Sequence, residues 1–154
     1  MLREFVKSNN VMNELKQAHH MLQDLAIPLE ALVTGFRTFS AWRKKPPHAD
    51  VIEAIRAGWG AVQRRFDVIE YFATAMTFLE ARSLFYLLTQ LKNDFEATLE
   101  DSDPLRLYDL SLQLYQQSQA KLEIIDKLML KQFEHTYRIT EQISRSISDE
   151  SVQS

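Results

Sequence analysis

Cysteine is absent from this chain, which removes disulfides, thiolate metal ligands and thiol nucleophiles together. Glycine (3) and proline (4) are scarce for 154 residues. Strands depend on turns, and turns draw on Gly, Pro, Asn and Asp, so an all-β or α/β fold would lack connections. Charge of one sign is not in surplus either. The 18 basic and 21 acidic residues are spread along the chain and give a net charge of −3, so no basic footprint for nucleic acid appears. Long apolar runs are missing too. The most apolar stretch, 66–91, is cut by Asp67, Glu70, Glu80 and Arg82, and its uncharged runs 71–79 and 83–91 fall far short of the ~20 residues that span a bilayer. No transmembrane segment is expected. The start, MLREFVKSNN, holds no apolar core of signal-peptide length, and a cytoplasmic location is expected.

What the chain does have is a helical rhythm. Val11, Leu15, Ala18, Leu22, Leu25, Leu29, Leu32, Phe36 and Phe39 follow alternating steps of three and four, the coiled-coil-like seam that a helix buries against its neighbours. The fold class is all-α, a bundle of long antiparallel helices. The first is predicted over about 10–42, capped by Ser8, Asn9 and Asn10. Pro28 should kink or break it, but the stripe continues in phase from Leu25 to Leu29, which favours a continuous helix. Pro46 and Pro47 make the first turn.

A second helix is predicted over 50–99, opened by Asp50 and Glu53 in capping-box spacing. Its stripe runs Ile52, Ile55, Trp59, Val62, Phe66, Ile69, Ala73 and Met76, then resumes one residue out of register as Ala81, Leu84, Leu88, Leu91 and Phe95. Such a skip rotates the buried face or marks a bend, and Glu80 should turn to water there. This helix is the natural partner of the first. Asp103 and Pro104 then supply an N-cap and a first helical residue for a third helix over 104–147. Its stripe is weaker, interrupted at Gln116, Gln117, Ser118 and Gln119. Residues 1–147 read as one domain and 148–154 as a polar, disordered tail. Unbroken helices of this length would exceed ~60 Å, against a radius of gyration of ~15 Å for a compact chain; they bend and break, or the molecule is elongated.

Two further expectations follow from the pattern. If Pro46 and Pro47 form the apex of a hairpin, Gly35 and Gly58 lie level and Gly60 close by, which predicts a close backbone approach beside Phe36 and Trp59. Arg56, Arg64 and Arg65, with the Arg43, Lys44 and Lys45 loop, would mark one end of the bundle, and Glu96, Glu100, Asp101 and Asp103 the other.

Chemistry-bearing patterns are few. No Glu-x-x-His pair supports a di-iron site, since Glu134 and His135 are adjacent, and no Gly-rich loop or nucleophile elbow is present. No catalytic, cofactor-binding or metal-binding residue is assigned. Arg43 and His48 stand in an R-x4-H spacing that resembles the motif of the HEPN ribonucleases, an all-α family, which would imply RNA cleavage by those two residues. The resemblance covers only that pair. Pro46 and Pro47 occupy the interior of a motif that the family carries on a helix.

The surplus is apolar. Between 66 and 91 the apolar residues point all round the helix, and two neighbours from one chain cannot enclose it. Phe72, Phe78, Leu79, Phe85, Tyr86 and Leu88 are the expected interaction residues, and a homo-oligomer or a protein partner is expected to cover them. The expected function is a non-catalytic helical interaction protein: an adaptor, regulator or secretion-type chaperone. The alternative is a ligand-sensing bundle with an apolar pocket among Trp59, Phe66, Phe72, Phe78 and Phe85.

Overall fold

The computed structural model describes residues 2–38, 49–101 and 103–153. They form four helices and, among the described residues, no strand: α1 (Leu2–Thr38), α2 (Ala49–Ala75), α3 (Leu79–Asp101) and α4 (Pro104–Gln153). The fold is an all-α bundle. The stripes read from the sequence face its core: Leu15 to Phe36 of α1 and Ile55 to Ile69 of α2 are buried at their stripe positions, with Ala81, Leu88 and Phe95 of α3. Phe39, Asp50 and Ile52 lie outside the described side chains, and Glu53, the other half of the expected box, is exposed and stands 3.9 Å from Arg56.

The α1 helix starts at Leu2, ahead of the expected cap, and runs through Pro28 without interruption. Its registry against α4 explains both. Ser8 meets Thr136, His19 meets Asp126, and Phe36 packs edge-on against Tyr108. The step from Ser8 to Phe36 matches the step from Thr136 back to Tyr108, so the two helices run antiparallel without slipping past the proline. Pairing with α4 overrides the weak helix propensity of Ser8, Asn9 and Asn10. The most extensive interface of α1 is with α4; α2 comes second, which corrects the expectation that the second helix is its main partner.

The predicted helix 50–99 is two helices. The chain breaks at 76–78 and turns back, so that Trp59 stacks on Phe95 with ring centroids 3.9 Å apart. The one-residue skip in the stripe is the cause: stripes out of phase on one straight helix face different ways, whereas a reversal turns both onto one core. The reversal also brings the Arg56 end of α2 level with the Glu96 end of α3, so the basic and acidic clusters share one end of the bundle. Lys92 is buried there, its Nζ 3.4 Å from Glu70 and 3.5 Å from Glu96. The third predicted helix holds as α4. Asp103 caps it, its Oδ1 accepting the Arg106 N–H at 3.3 Å, and the helix extends to Gln153, past the expected boundary at 147.

The lengths divide the molecule. Helices α2 and α3 have 27 and 23 residues, whereas α1 has 37 and α4 has 50. At 1.5 Å per residue α4 is about 75 Å long and the α2–α3 hairpin about half that. The hairpin tip meets α1 at Glu14. On one side of that level lies a four-helix body, where Leu107, Leu110, Leu114 and Ile125 of α4 are fully buried. On the other, α1 residues 2–13 and the end of α4 project as a two-helix stalk.

Candidate functional site

The hairpin tip is held by one side chain. Glu14 Oε1 accepts the Thr77 N–H (3.0 Å) and the Thr77 hydroxyl (2.8 Å), and Oε2 accepts the Phe78 N–H (2.9 Å). These donors are orphan groups at the start of α3, so a carboxylate on α1 caps α3 from across the bundle. Burial would raise the Glu14 carboxyl, but the backbone hydrogen bonds from Thr77 and Phe78 and the Thr77 hydroxyl outweigh it and hold the group below its ordinary value. The contact is 63 residues apart in sequence, and nothing local to Glu14 signals it.

The expected interaction residues separate into three kinds. Phe85 and Leu88 are 3% and 0% exposed and belong to the chain's own core. Phe72 and Phe78 are half-buried against it. Leu79 and Tyr86 are 70% and 69% exposed and free to meet a partner. The pattern on α3 could not reveal this division, because the reversal at 76–78 decides which face is covered. Glu80 points outward, as expected.

The stalk carries apolar surface that the sequence reading missed. Its helix–helix seam carries a polar cluster beside the buried Met12 and Ile139. Gln132 Nε2 donates to the Ser8 carbonyl (3.0 Å) and to Ser8 Oγ (2.6 Å). The Thr136 hydroxyl donates to the Gln132 carbonyl at 2.9 Å, so the Ser8 hydroxyl is the donor in its 2.7 Å contact with Thr136 Oγ1. Ser8 is only 4% exposed. Outside the seam stand Leu130, Phe133 and Tyr137, exposed by 62%, 62% and 58%, with Ile147, Leu2 and Val6 also exposed. The stalk's seam thus mixes polar groups with Met12 and Ile139, and its outer face leaves large apolar side chains in water among charged ones.

An apolar cleft of about 270 Å³ opens between α1 and α2, with Pro28, Ala31, Gly35, Ala54, Gly58 and Ala61 among its walls. It corrects the expected backbone approach. A Cβ on Gly35 would meet nothing within 4 Å, and one on Gly58 would meet the Leu32 side chain, not backbone, at 3.3 Å. The two glycines do share one height, but they line a gap. The cleft also lies away from the expected aromatic pocket, since Trp59, Phe66 and Phe85 are core.

Among the described residues no cluster of His, Cys, Asp or Glu is arranged to hold a metal ion, and no helix is long and apolar enough to cross a membrane. Arg43, Lys44, Lys45 and His48 lie outside the described residues. Compared with family models, with curated proteins and with solved structures, the chain matches none.

Proposed function

We propose that this chain is a non-catalytic helical interaction protein, an adaptor, regulator or secretion-type chaperone working in the cytoplasm through helix packing and self-association. One observation supports the reading above the rest: on the stalk Leu130, Phe133 and Tyr137 face water, outside a seam where Ser8, Gln132 and Thr136 are joined by hydrogen bonds. Exposed aromatic and aliphatic residues in a row lose about 25 cal/mol per Å² of stabilisation that a covering helix would supply. Leu79 and Tyr86 add exposed apolar surface on α3. Sedimentation velocity from 1 to 100 µM tests the reading: a mass above the 18.0 kDa monomer is expected, and a monomer throughout removes self-association from it.

A second reading is favoured by the α1–α2 cleft, whose walls suit a small apolar ligand. In a ligand sensor, an apolar fluorescent dye would bind there and Gly35→Leu, which fills open space, would abolish the signal. Dye binding unchanged by Gly35→Leu would retire this reading.

A further inference from the structure

We infer that a second copy of this chain docks along the outer stripe of the stalk, antiparallel to the first, with Phe133 of one copy packed against Tyr137 of the other. The inference rests on the self-association reading and names its surface and its partner.

Leu130, Phe133, Tyr137, Thr140, Ser144 and Ile147 continue in alternating steps of three and four on α4. At 100° per residue this stripe lies about a third of a turn from the seam row of Gln132, Thr136 and Ile139. It is a second face, separate from the one that α1 covers. Beside it run two charged rows of heptad spacing, Lys131, Arg138 and Arg145, and Glu134 and Glu141.

That order is complementary to itself in one orientation. Place a two-fold axis midway between Phe133 and Tyr137, perpendicular to the helix. Phe133 then faces Tyr137 of the other copy, and Leu130 faces Thr140. Glu141 comes within about half a turn of Lys131 of the other copy, and Arg138 flanks Glu134, each pairing occurring twice. A parallel alignment sets Lys131 level with Lys131 and Glu141 with Glu141, and brings like ends of two helix dipoles together. The antiparallel arrangement also sends the two four-helix bodies to opposite ends, where they do not collide.

The interface is small. With the axis between Phe133 and Tyr137, residues 128–142 of the two copies lie level over about 21 Å, and the ribbon of α4 with α1 is about 10–20 Å wide, so each copy offers on the order of 300 Å². Two copies bury about 600 Å², the size of a weak, concentration-dependent contact whose orientation the charge pairs set. In the body the α2–α3 hairpin covers the α1–α4 pair; in the stalk the same kind of antiparallel helix pair, supplied by the second copy, takes that role.

The experiment uses the full chain. Because it has no cysteine, Ser144→Cys carries a single spin label, and sedimentation equilibrium gives the dissociation constant. Expected results are a dimer and a label separation near 27 Å along the helix axis, from about 18 residues of rise. Phe133→Ser with Tyr137→Ser, both at exposed positions, should raise the dissociation constant at least about 100-fold with helix content unchanged. Glu141→Lys should raise it about 10-fold, and adding Lys131→Glu should restore it. A monomeric wild type overturns this inference together with the self-association reading. A dimer untouched by the Phe133 and Tyr137 changes overturns this inference alone, and so does a label pair in near contact, the mark of a parallel alignment.

Discussion

The body and the stalk are built from the same two helices and obey opposite rules. Where four helices meet, α4 turns Leu107, Leu110, Leu114 and Ile125 inward and no exposure remains on them. Beyond Glu14, where only α1 accompanies it, α4 turns Gln132 and Thr136 to the seam and Leu130, Phe133 and Tyr137 to water. Two helices in contact shield one narrow line of side chains, whereas four enclose a volume. The body is therefore stable chiefly through burial, and the stalk, with Met12 and Ile139 alone of its large apolar side chains buried, leans on hydrogen bonds and whatever covers its outer face.

Truncating a side chain on each side tests that division most strongly. Phe66 is fully buried in the body, and Phe66→Ala should cost about 3–5 kcal/mol. Ile139 is 4% exposed in the stalk, but with only two helices around it water and neighbouring side chains reach the space it leaves. Ile139→Ala should sit near the low end for such changes, about 2 kcal/mol. Urea unfolding with both variants measures the difference. Equal costs would mean that the stalk is packed as tightly as the body.

The boundary between the two regions supplies the next effect. Glu14→Ala removes the cap on α3 and should cost about 1–2 kcal/mol, scaled down because solvent screens the site. The pH dependence has a definite sign. The folded-state pKa of Glu14 is lowered, so its contribution is fully present above the unfolded value of about 4.3 and is lost as pH falls through the folded one. Wild type should therefore lose stability relative to Glu14→Gln below about pH 4.3, measured by thermal unfolding from pH 7 to pH 3. Parallel curves over that range would show that the carboxylate does not hold the hairpin tip.

Much of the body was legible in the sequence, because its stripes are continuous and face one core. Leu15 to Phe36 of the α1 stripe, Ile55 to Ile69 and Met76 of the second, and Ala81, Leu88, Leu91 and Phe95 beyond the skip fall on buried positions. Val11, Ala73 and Leu84 are partly buried, and the Asp103 cap forms as its spacing indicates. The reversal at 76–78 was visible only as a phase skip, since bend and reversal leave the same trace in a stripe. The weak α4 stripe misled for a different reason. Ser111 and Ser118 are fully buried there, their hydroxyls donating to the carbonyls of Tyr108 and Tyr115 at 2.7 Å, so polar letters stand at true core positions. In the stalk the converse holds, and apolar letters stand outside. Polarity predicts burial only where a core exists, and the sequence does not state where the fourth helix ends.

The smallest effect probes the body's α1–α2 face, the place where it most resembles the stalk in being incompletely covered. Glycine inside a helix is worth about 0.5–1 kcal/mol less than alanine. At Gly35 the added methyl enters the cleft and meets nothing within 4 Å, so Gly35→Ala should raise stability by about that amount. At Gly58 the same methyl lands 3.3 Å from Leu32 Cδ1, and the leucine must shift by a few tenths of an ångström, which takes back part of the gain. Denaturant midpoints at unchanged slope should rank Gly35→Ala above Gly58→Ala, and both above wild type. The reverse order would place the tight contact at Gly35, closing the cleft and restoring the close helix approach that the glycine spacing alone suggests. The order Gly35 over Gly58 keeps the cleft open, and with it the contrast between a body that is almost sealed and a stalk that is not.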